Sequence, residues 1–148
     1  MDASSKTFHV LLVEDNAADA WIIRDSLSRT GVRHELIVIE DGEEASSFLL
    51  NRSGGEKVSF PDLMLLDLNL PRKSGIEILQ EIKADPSLRS LPVLVLTSSG
   101  SERDIDNAYR SGANQYFRKP GGLSGIEELM SLIARCWLEH GCLPHLKR

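Results

Sequence analysis

The sequence predicts an α/β protein built on a five-stranded parallel sheet with five helices. Short apolar runs recur along the 148 residues, and segments with apolar residues at helical spacing lie between them. Continuous apolar runs are typical of strands buried on both faces, as in a parallel sheet. Their alternation with helices predicts helices on both faces of that sheet. Right-handed crossovers leave few topologies, and the order 2-1-3-4-5 is the common one for five strands.

Five segments are candidates for these strands. The first four are continuously apolar, and the fifth is weaker because it contains polar residues. In chain order they are residues 10–13, 36–39, 63–66, 93–96 and 115–118.

Five helices are predicted from apolar residues that recur three or four positions apart. Their marker residues, in chain order, are Ala20, Ile23 and Leu27; Ala45, Phe48 and Leu49; Ile78, Leu79 and Ile82; Ile105, Ala108 and Tyr109; and Ile126, Leu129, Met130, Ile133 and Trp137.

Capping signals place the helix ends. Asp41 with Glu44 is the pattern of a capping box at the start of the second helix, and Ser124 with Glu127 is the same pattern for the fifth. Glycine commonly follows a helix, and the residue before a proline is disfavoured in one. The residues expected to end the first, third, fourth and fifth helices are Gly31, Asp85–Pro86, Gly112 and Gly141.

Length and composition indicate one domain over residues 1–148, with its core at about residues 8–140 and no output domain. The net charge of -5 argues against non-specific binding to nucleic acid or to an anionic membrane. No apolar run approaches the roughly 20 residues of a membrane span, and the N-terminus lacks the apolar core of a signal peptide. We therefore expect a cytoplasmic protein.

Two segments have a less specific reading. Residues 51–61, NRSGGEKVSFP, form a longer connection than usual and are interpreted as a surface insertion. Cys136 and Cys142 are expected to be unlinked thiols, because a reducing cytosol disfavours disulfides and the spacing to the nearby histidines is not a usual zinc pattern.

Polar side chains with complementary chemistry follow four of the predicted strands. Glu14 and Asp15 follow the first, Asp67 follows the third, Thr97 follows the fourth and Lys119 follows the fifth. Because ligands of open parallel sheets bind beyond the carboxyl ends of the strands, where the strand order reverses, these groups are expected to converge. Three acids, one hydroxyl and one amine would then share one edge of the sheet.

Three carboxylates in one place imply either that one of them is protonated or that a cation lies among them. Each pair repels by about 4 kcal/mol at 4 Å in an effective dielectric of 20. Oxygen ligands supplemented by water suit Mg2+, and Lys119 adds a second positive charge. Asp67 would then be an ionised nucleophile in a site suited to more negative charge, and a phosphoryl group is the natural candidate. Thr97 would donate a hydrogen bond to that group.

Four motifs carry a resemblance to a known family: LLVEDN, LLDLNLPRKSG, VLVLTSS and AYRSGANQYFRKP. In order and spacing the chain resembles a response-regulator receiver domain of two-component signalling, which has a flavodoxin-like fold. The resemblance implies that Asp67 is the phosphoacceptor and that Asp15 and Asp67 bind Mg2+ directly. It implies that Asn69 binds the ion through its backbone carbonyl and Glu14 through a water molecule.

The resemblance also implies a mechanism for the signal. Thr97 and Lys119 would contact the phosphoryl group, and Tyr116 would be a switch aromatic whose rotamer follows Thr97. The Lys119–Pro120 bond would be cis. Such a protein is not an enzyme but a phosphoacceptor, although it assists its own phosphorylation and dephosphorylation.

Partners follow from the same resemblance. The upstream partner would be a sensor histidine kinase, and the long loop and the DLNLPRKSG segment are similar to regulators paired with phytochrome-type kinases. The downstream partner would be an unidentified protein, and a homodimer could form through helix 4, strand 5 and helix 5. Trp21 and Ile22 are expected near the kinase, and Phe117 and Trp137 toward the opposite side, with Trp137 favoured as a core residue.

Three alternatives remain open on the sequence alone. The first is a degenerate receiver that acts only as a binding module. The second is a Mg2+-dependent phosphatase with an aspartyl-phosphate intermediate, although Asn69 stands where that chemistry uses a second acid. The third, a flavodoxin-like cofactor carrier, is disfavoured because clustered acids would repel a cofactor phosphate.

Overall fold

The computed structural model describes residues 6–50 and 60–144 and has the predicted architecture. Most of the loop predicted at 51–61 and the end of the C-terminal segment lie outside the described residues. In chain order the elements are β1 Phe8–Val13, α1 Ala17–Ser28, β2 His34–Ile39, α2 Gly42–Leu50, β3 Leu63–Leu66, α3 Gly75–Ala84, β4 Val93–Thr97, α4 Glu102–Arg110, β5 Gln115–Arg118, α5 Leu123–Ile133 and a π-helical segment, Ala134–Glu139.

The five strands form one parallel sheet in the order β2-β1-β3-β4-β5, which confirms the predicted topology. Every residue of β3 and β4 is buried. This burial explains why these two segments are continuously apolar, since a central strand covered by helices on both faces has no solvent side.

The core consists of two apolar clusters, one on each face of the sheet. Alternate residues of β1 divide between them, because successive side chains of a strand point to opposite faces: Leu11 belongs to one cluster and Leu12 to the other. The Leu11 cluster includes the buried residues of α2 and α3, and the Leu12 cluster includes those of α1 and α5. The marker residues predicted for these four helices therefore serve the core.

Strand register brings the polar strand ends together. Val13 is paired with Leu66, and Leu66 is paired with Val95, so β1, β3 and β4 end at the same edge. One residue further on, the backbone N–H of Asp67 donates to the carbonyl of Val13 at 3.0 Å. The N–H of Lys119 donates to the carbonyl of Thr97 at 2.7 Å.

Of the two helix starts predicted from capping signals, that of α2 agrees with the structure and that of α5 does not. Asp41 Oδ1 accepts hydrogen bonds from the N–H groups of Glu43 and Glu44, as expected for the first residue of a capping box. The predicted Ser124–Glu127 box is wrong, because α5 begins at Leu123 and Gly122 is its N-cap, with no side-chain cap. Gly122 has φ 92, a left-handed conformation that favours glycine and turns the chain into the helix before Ser124 is reached.

The end of α5 continues as the π-helical segment, which closes with His140 as its C-cap, just before the predicted stop at Gly141. Trp137 within this segment is partly buried against the Leu12 cluster, and its Nε1 donates to Gln115 Oε1 at 3.3 Å. This placement agrees with the core role favoured for Trp137. Cys136 and Cys142 are exposed free thiols.

One further expectation about the last third of the chain was wrong. The Lys119–Pro120 bond is trans, which is the lower-energy form of an X–Pro bond by about 0.5–1 kcal/mol. Tyr109, a predicted apolar marker of α4, is 48% exposed because α4 buries only Ala108. The Tyr109 hydroxyl instead accepts a hydrogen bond from the N–H of Tyr116 in β5, at 3.0 Å. Within the described residues, no helix is both long enough and apolar enough to span a membrane.

Candidate functional site

Glu14, Asp15 and Asp67 form a compact group of acids at the carboxyl edge of the sheet. One carboxylate oxygen from each lies within 4.8 Å of the others. Glu14 and Asp67 are buried, at 1% and 6% exposure, whereas Asp15 is exposed. The group therefore has two buried acids below one that solvent can reach, so an ion can enter from the side of Asp15.

Glu14 is fixed by contacts on both carboxylate oxygens. Its Oε2 accepts a hydrogen bond from the N–H of Asn16 at 3.1 Å, and its Oε1 lies 2.7 Å from the Lys119 ammonium. Burial raises the pKa of Glu14 to about 7, and the charge of Asp67 adds to this effect while Lys119 opposes it. A divalent cation in the site would favour the ionised form of Glu14.

Asp67, a charged group at the end of a buried strand, has a partner for each of its carboxylate oxygens. Its Oδ1 accepts hydrogen bonds from the hydroxyl of Thr97 at 2.8 Å and from the N–H of Asn69 at 3.3 Å. Its Oδ2 lies 3.2 Å from Lys119 Nζ. A buried carboxylate needs such partners, because an unpaired buried charge costs several kcal/mol.

The start of α3 packs closely against the backbone of Asp67. A side chain on Gly75 would place its Cβ 2.5 Å from the carbonyl oxygen of Asp67 and 2.8 Å from the Cα of Leu68. The N–H of Gly75 donates to the carbonyl of Leu68 at 2.9 Å. The first turn of α3 thus packs directly on the backbone of the acid, and only glycine leaves room for it.

Lys119 is paired with three carboxylates. Its Nζ lies 2.7 Å from Glu14, 2.9 Å from Asp19 and 3.2 Å from Asp67. Burial alone would lower the pKa of Lys119, but the hydrogen bonds to Glu14 and Asp19 and the charge of Asp67 raise it above its usual value. Lys119 is therefore a fixed positive charge beside the acids.

Asp19 is the member of this network that sequence reasoning missed. It lies in the first turn of α1, four residues after Asp15, and its partner is 100 residues away in the chain. An acid at this position usually indicates only a favourable charge at a helix N-terminus. The available signal was that α1 begins next to the strand end that supplies Glu14 and Asp15.

The two predicted switch residues lie on adjacent strands. Thr97 is fully buried, and its hydroxyl points to Asp67. Tyr116 is half-buried against the Leu11 cluster, and its hydroxyl donates to the carbonyl of Ser99 at 2.7 Å. Tyr116 thus reaches the loop between β4 and α4 rather than the acids themselves.

The residues present fit a magnesium ion. Carboxylate oxygens are the ligands that Mg2+ prefers, and Asp15 leaves one side of the group open for the waters the ion retains. When all three are ionised, Glu14, Asp15 and Asp67 bring three negative charges that the single positive charge of Lys119 does not balance. A divalent cation would therefore complete the charge balance of the site.

Comparisons with known proteins agree with this geometry. The family model of the response regulator receiver domain matches residues 10–133. Response regulator Rcp1 of Synechocystis is 40% identical over 143 residues, which are 97% of each chain. The crystal structure of the phosphorylated cyanobacterial phytochrome response regulator RcpA is 41% identical, with a TM-score of 0.89 over 95% of this chain and 100% of that one. The Mn2+-bound form of Rcp1 is 40% identical, with a TM-score of 0.87 over 93% and 99% of the two chains.

Proposed function

Because the chain belongs to the response regulator receiver domain family of two-component signalling, we propose that Asp67 accepts a phosphoryl group from a partner histidine kinase. The observation that carries this proposal is the set of contacts at Asp67. A buried carboxylate has a hydroxyl donor on one oxygen and an ammonium on the other, and two further acids lie beside it. These groups match the charges that a phosphoryl transfer has to stabilise.

In the proposed step, an oxygen of Asp67 forms a bond to phosphorus as the bond between phosphorus and the kinase histidine breaks. The electron pair of that bond leaves with the imidazole. Lys119 and Thr97, which already contact Asp67, would donate to oxygens of the incoming group. Both donors are preorganised by their strand ends, so little reorganisation is required at the moment of transfer.

The ion would be held by Asp15 and Asp67 directly, by the backbone carbonyl of Asn69, and by Glu14 through a water molecule. When bound, Mg2+ supplies positive charge to the phosphoryl oxygens. The chain itself orients the acids: the N–H of Asn16 and the ammonium of Lys119 fix Glu14. Manganese in the crystal structure of Rcp1 supports a divalent ion in a related receiver.

The test of the core proposal is incubation with acetyl phosphate and Mg2+, followed by intact-mass measurement. We expect one phosphoryl adduct on the wild type and none on Asp67→Ala or in the presence of a chelator. Asp62→Ala, which alters an acid at the amino end of β3, opposite the end that holds Asp67, is the matched control and should still react. An adduct that persists on Asp67→Ala would place the acceptor elsewhere.

We further propose that the signal passes through Thr97 and Tyr116. Additional negative charge on Asp67 would strengthen its contact with Thr97. This would shift the conformer population of the loop between β4 and α4, where the Tyr116 hydroxyl binds the carbonyl of Ser99. This is a change between two states driven by a local charge. Tyr116→Phe, which removes only the hydroxyl, should leave adduct formation intact and weaken the phosphorylation-dependent change at Ser99 in NMR spectra.

The proposed upstream partner is a phytochrome-type histidine kinase in the cytoplasm. Support comes from RcpA, a cyanobacterial phytochrome response regulator, and from the extent of that likeness. Incubation with a phytochrome-type kinase that carries labelled phosphohistidine should move the label to the wild type but not to Asp67→Ala. Equal transfer from an unrelated histidine kinase would remove the claim of specificity.

A downstream protein or a second copy is proposed to bind the face of α4, β5 and α5. Tyr109, Leu123 and Leu132 on these helices are large apolar residues with about half of their surface exposed. Analytical ultracentrifugation that finds monomers at all concentrations, with and without phosphorylation, would remove the dimer.

A further inference from the structure

We propose that Asp19 is a positioning residue, which holds the ammonium of Lys119 in place for phosphoryl transfer to Asp67. This inference rests on the proposed function of Asp67. Its carrying observation is the 2.9 Å ion pair between Asp19 Oδ2 and Lys119 Nζ. The pair joins the first turn of α1 to the end of β5, and Lys119 is only 11% exposed there.

The start of α1 explains why the carboxylate of Asp19 is available. Asn16 is the N-cap of α1, and its side chain accepts from the N–H of Asp19, which is the third residue of the helix. In a capping box, an acid at this position bonds back to the N–H of the N-cap residue. Here the N–H of Asn16 is already used by Glu14. The side chain of Asp19 is thereby left to bind Lys119.

The ammonium of Lys119 has three N–H donors, and the structure provides three carboxylates for them. The contacts lengthen from Glu14 at 2.7 Å to Asp19 at 2.9 Å and Asp67 at 3.2 Å. The two shorter contacts fix the position of the nitrogen. The longest contact is the one that a phosphoryl oxygen on Asp67 would replace.

Asp19 acts through Lys119 and not on the metal. Among the described residues, the acids close enough to share one ion are Glu14, Asp15 and Asp67, and Asp19 is outside that group. Without the charge of Asp19, the ammonium keeps only Glu14 and Asp67 as partners. It would then spend more of its time bound to the nucleophile itself, where it competes with the bond to be formed.

The test compares rates of adduct formation from acetyl phosphate at saturating Mg2+. We expect Asp19→Asn to react about tenfold more slowly than the wild type, which corresponds to about 1.4 kcal/mol in the barrier. Asp19→Glu, which keeps the charge, should recover most of the rate. Asp25→Asn is the matched control: Asp25 lies on the same helix but pairs with Arg29, so its variant should match the wild type.

A second readout observes Lys119 directly. In protein labelled with 15N-lysine, the hydrogen-bonded ammonium protons of Lys119 should be visible in the wild type and lost or broadened in Asp19→Asn, with Lys119→Ala providing the assignment. In the Lys119→Ala background, the added Asp19→Asn change should have no further effect on the slow rate that remains.

Three results would overturn the inference. Asp19→Asn could react as fast as the wild type, or its ammonium signals could be unchanged. It could also slow the Lys119→Ala protein by the same factor, which would assign its effect to another group. Failure of the proposed function is a separate result, since it would appear as a wild type with no adduct on Asp67, and it would remove the reaction that Asp19 is proposed to assist.

Discussion

At the scale of single residues, the site depends on how tightly its backbone is packed as much as on its charged groups. Asp67 is held by hydrogen bonds to Thr97 and Asn69 and by the ion pair with Lys119. Its own carbonyl lies against the first residue of α3, Gly75. A small displacement here would move the nucleophile relative to both of its donors.

We therefore expect Gly75→Ala to reduce both stability and phosphorylation. The added Cβ would overlap backbone atoms at 2.5 and 2.8 Å, which cannot move aside as a flexible side chain would. Overpacking of this kind costs about 1–3 kcal/mol. Urea unfolding and the rate of adduct formation measure the two effects.

Gly121→Ala is the control for this prediction. Nothing lies within 4 Å of a Cβ at Gly121, so its variant should unfold within about 0.5 kcal/mol of the wild type. Equal stability of the Gly75 and Gly121 variants would show that the loop can relax around the added methyl group.

The strand-end residues could be predicted from sequence because each directly follows a buried apolar run whose place in the sheet is fixed by topology. Asp19 could not, since its pairing with Lys119 depends on which hydrogen bond the neighbouring N–H of Asn16 makes. The capping box at Ser124 was wrong because the N-cap of α5 is Gly122, a glycine with positive φ two residues before it.

At the scale of elements, α2 and α3 are joined by a polar contact beside the core. Lys73 Nζ lies 2.6 Å from Glu81 Oε2 and 3.1 Å from Ser46 Oγ, and the hydroxyl of Ser46 also donates to Glu81. Burial raises the pKa of Glu81, but the hydrogen bonds from Lys73 and Ser46 outweigh it, and the net result is a pKa below the usual value.

This contact predicts a pH dependence of stability. Because the pKa of Glu81 is lower in the folded state, its contribution is present above the unfolded pKa of 4.5 and is lost as the pH falls through the folded value. Glu81→Gln should cost about 1 kcal/mol at pH 7 and less at acidic pH.

Urea unfolding at several pH values measures this dependence. Glu128→Gln, at an exposed position of α5, is the control and should unfold like the wild type throughout. If the stability difference between Glu81→Gln and the wild type were the same at pH 7 and well below pH 4, the assignment to the Lys73 contact would be wrong.

Strand and helix bounds were predicted closely where the apolar pattern was strong, as in β3 and α3. The π-helical segment after α5 was not predicted, because the apolar spacing from Ile126 to Trp137 reads as one continuous α-helix. The spacing of apolar residues does not show whether the backbone makes α-helical or π-helical hydrogen bonds. Tyr109 lies in α4 as its spacing predicted, but spacing alone does not tell how deeply a helix is packed.

At the scale of the whole molecule, the sheet concentrates negative charge at one edge. Two buried acids and one exposed acid lie there with one ammonium. A ligand that binds only the folded state stabilises it by mass action, and the gain is about 2.7 kcal/mol at a hundredfold excess over Kd.

Mg2+ should therefore raise the midpoint of thermal unfolding in a concentration-dependent way. Asp15→Asn removes the negative charge of the exposed acid in this group. We expect this change to abolish most of the rise, because the ion loses one of its three carboxylates. Asp106→Asn, an exposed acid on α4, is the matched control and should respond to Mg2+ like the wild type. A rise of equal size in the Asp15 and Asp106 variants would show that the ion acts through general surface charge.

The contact between Tyr109 and β5 has a consequence for self-association. β5 is the last strand in the sheet order, and such a strand offers unpaired N–H groups to any extended chain that meets it. The phenol oxygen of Tyr109 occupies one of these groups, at Tyr116. Strand pairing along that border would have to displace the Tyr109 ring first, so we expect Tyr109 to oppose self-association through β5.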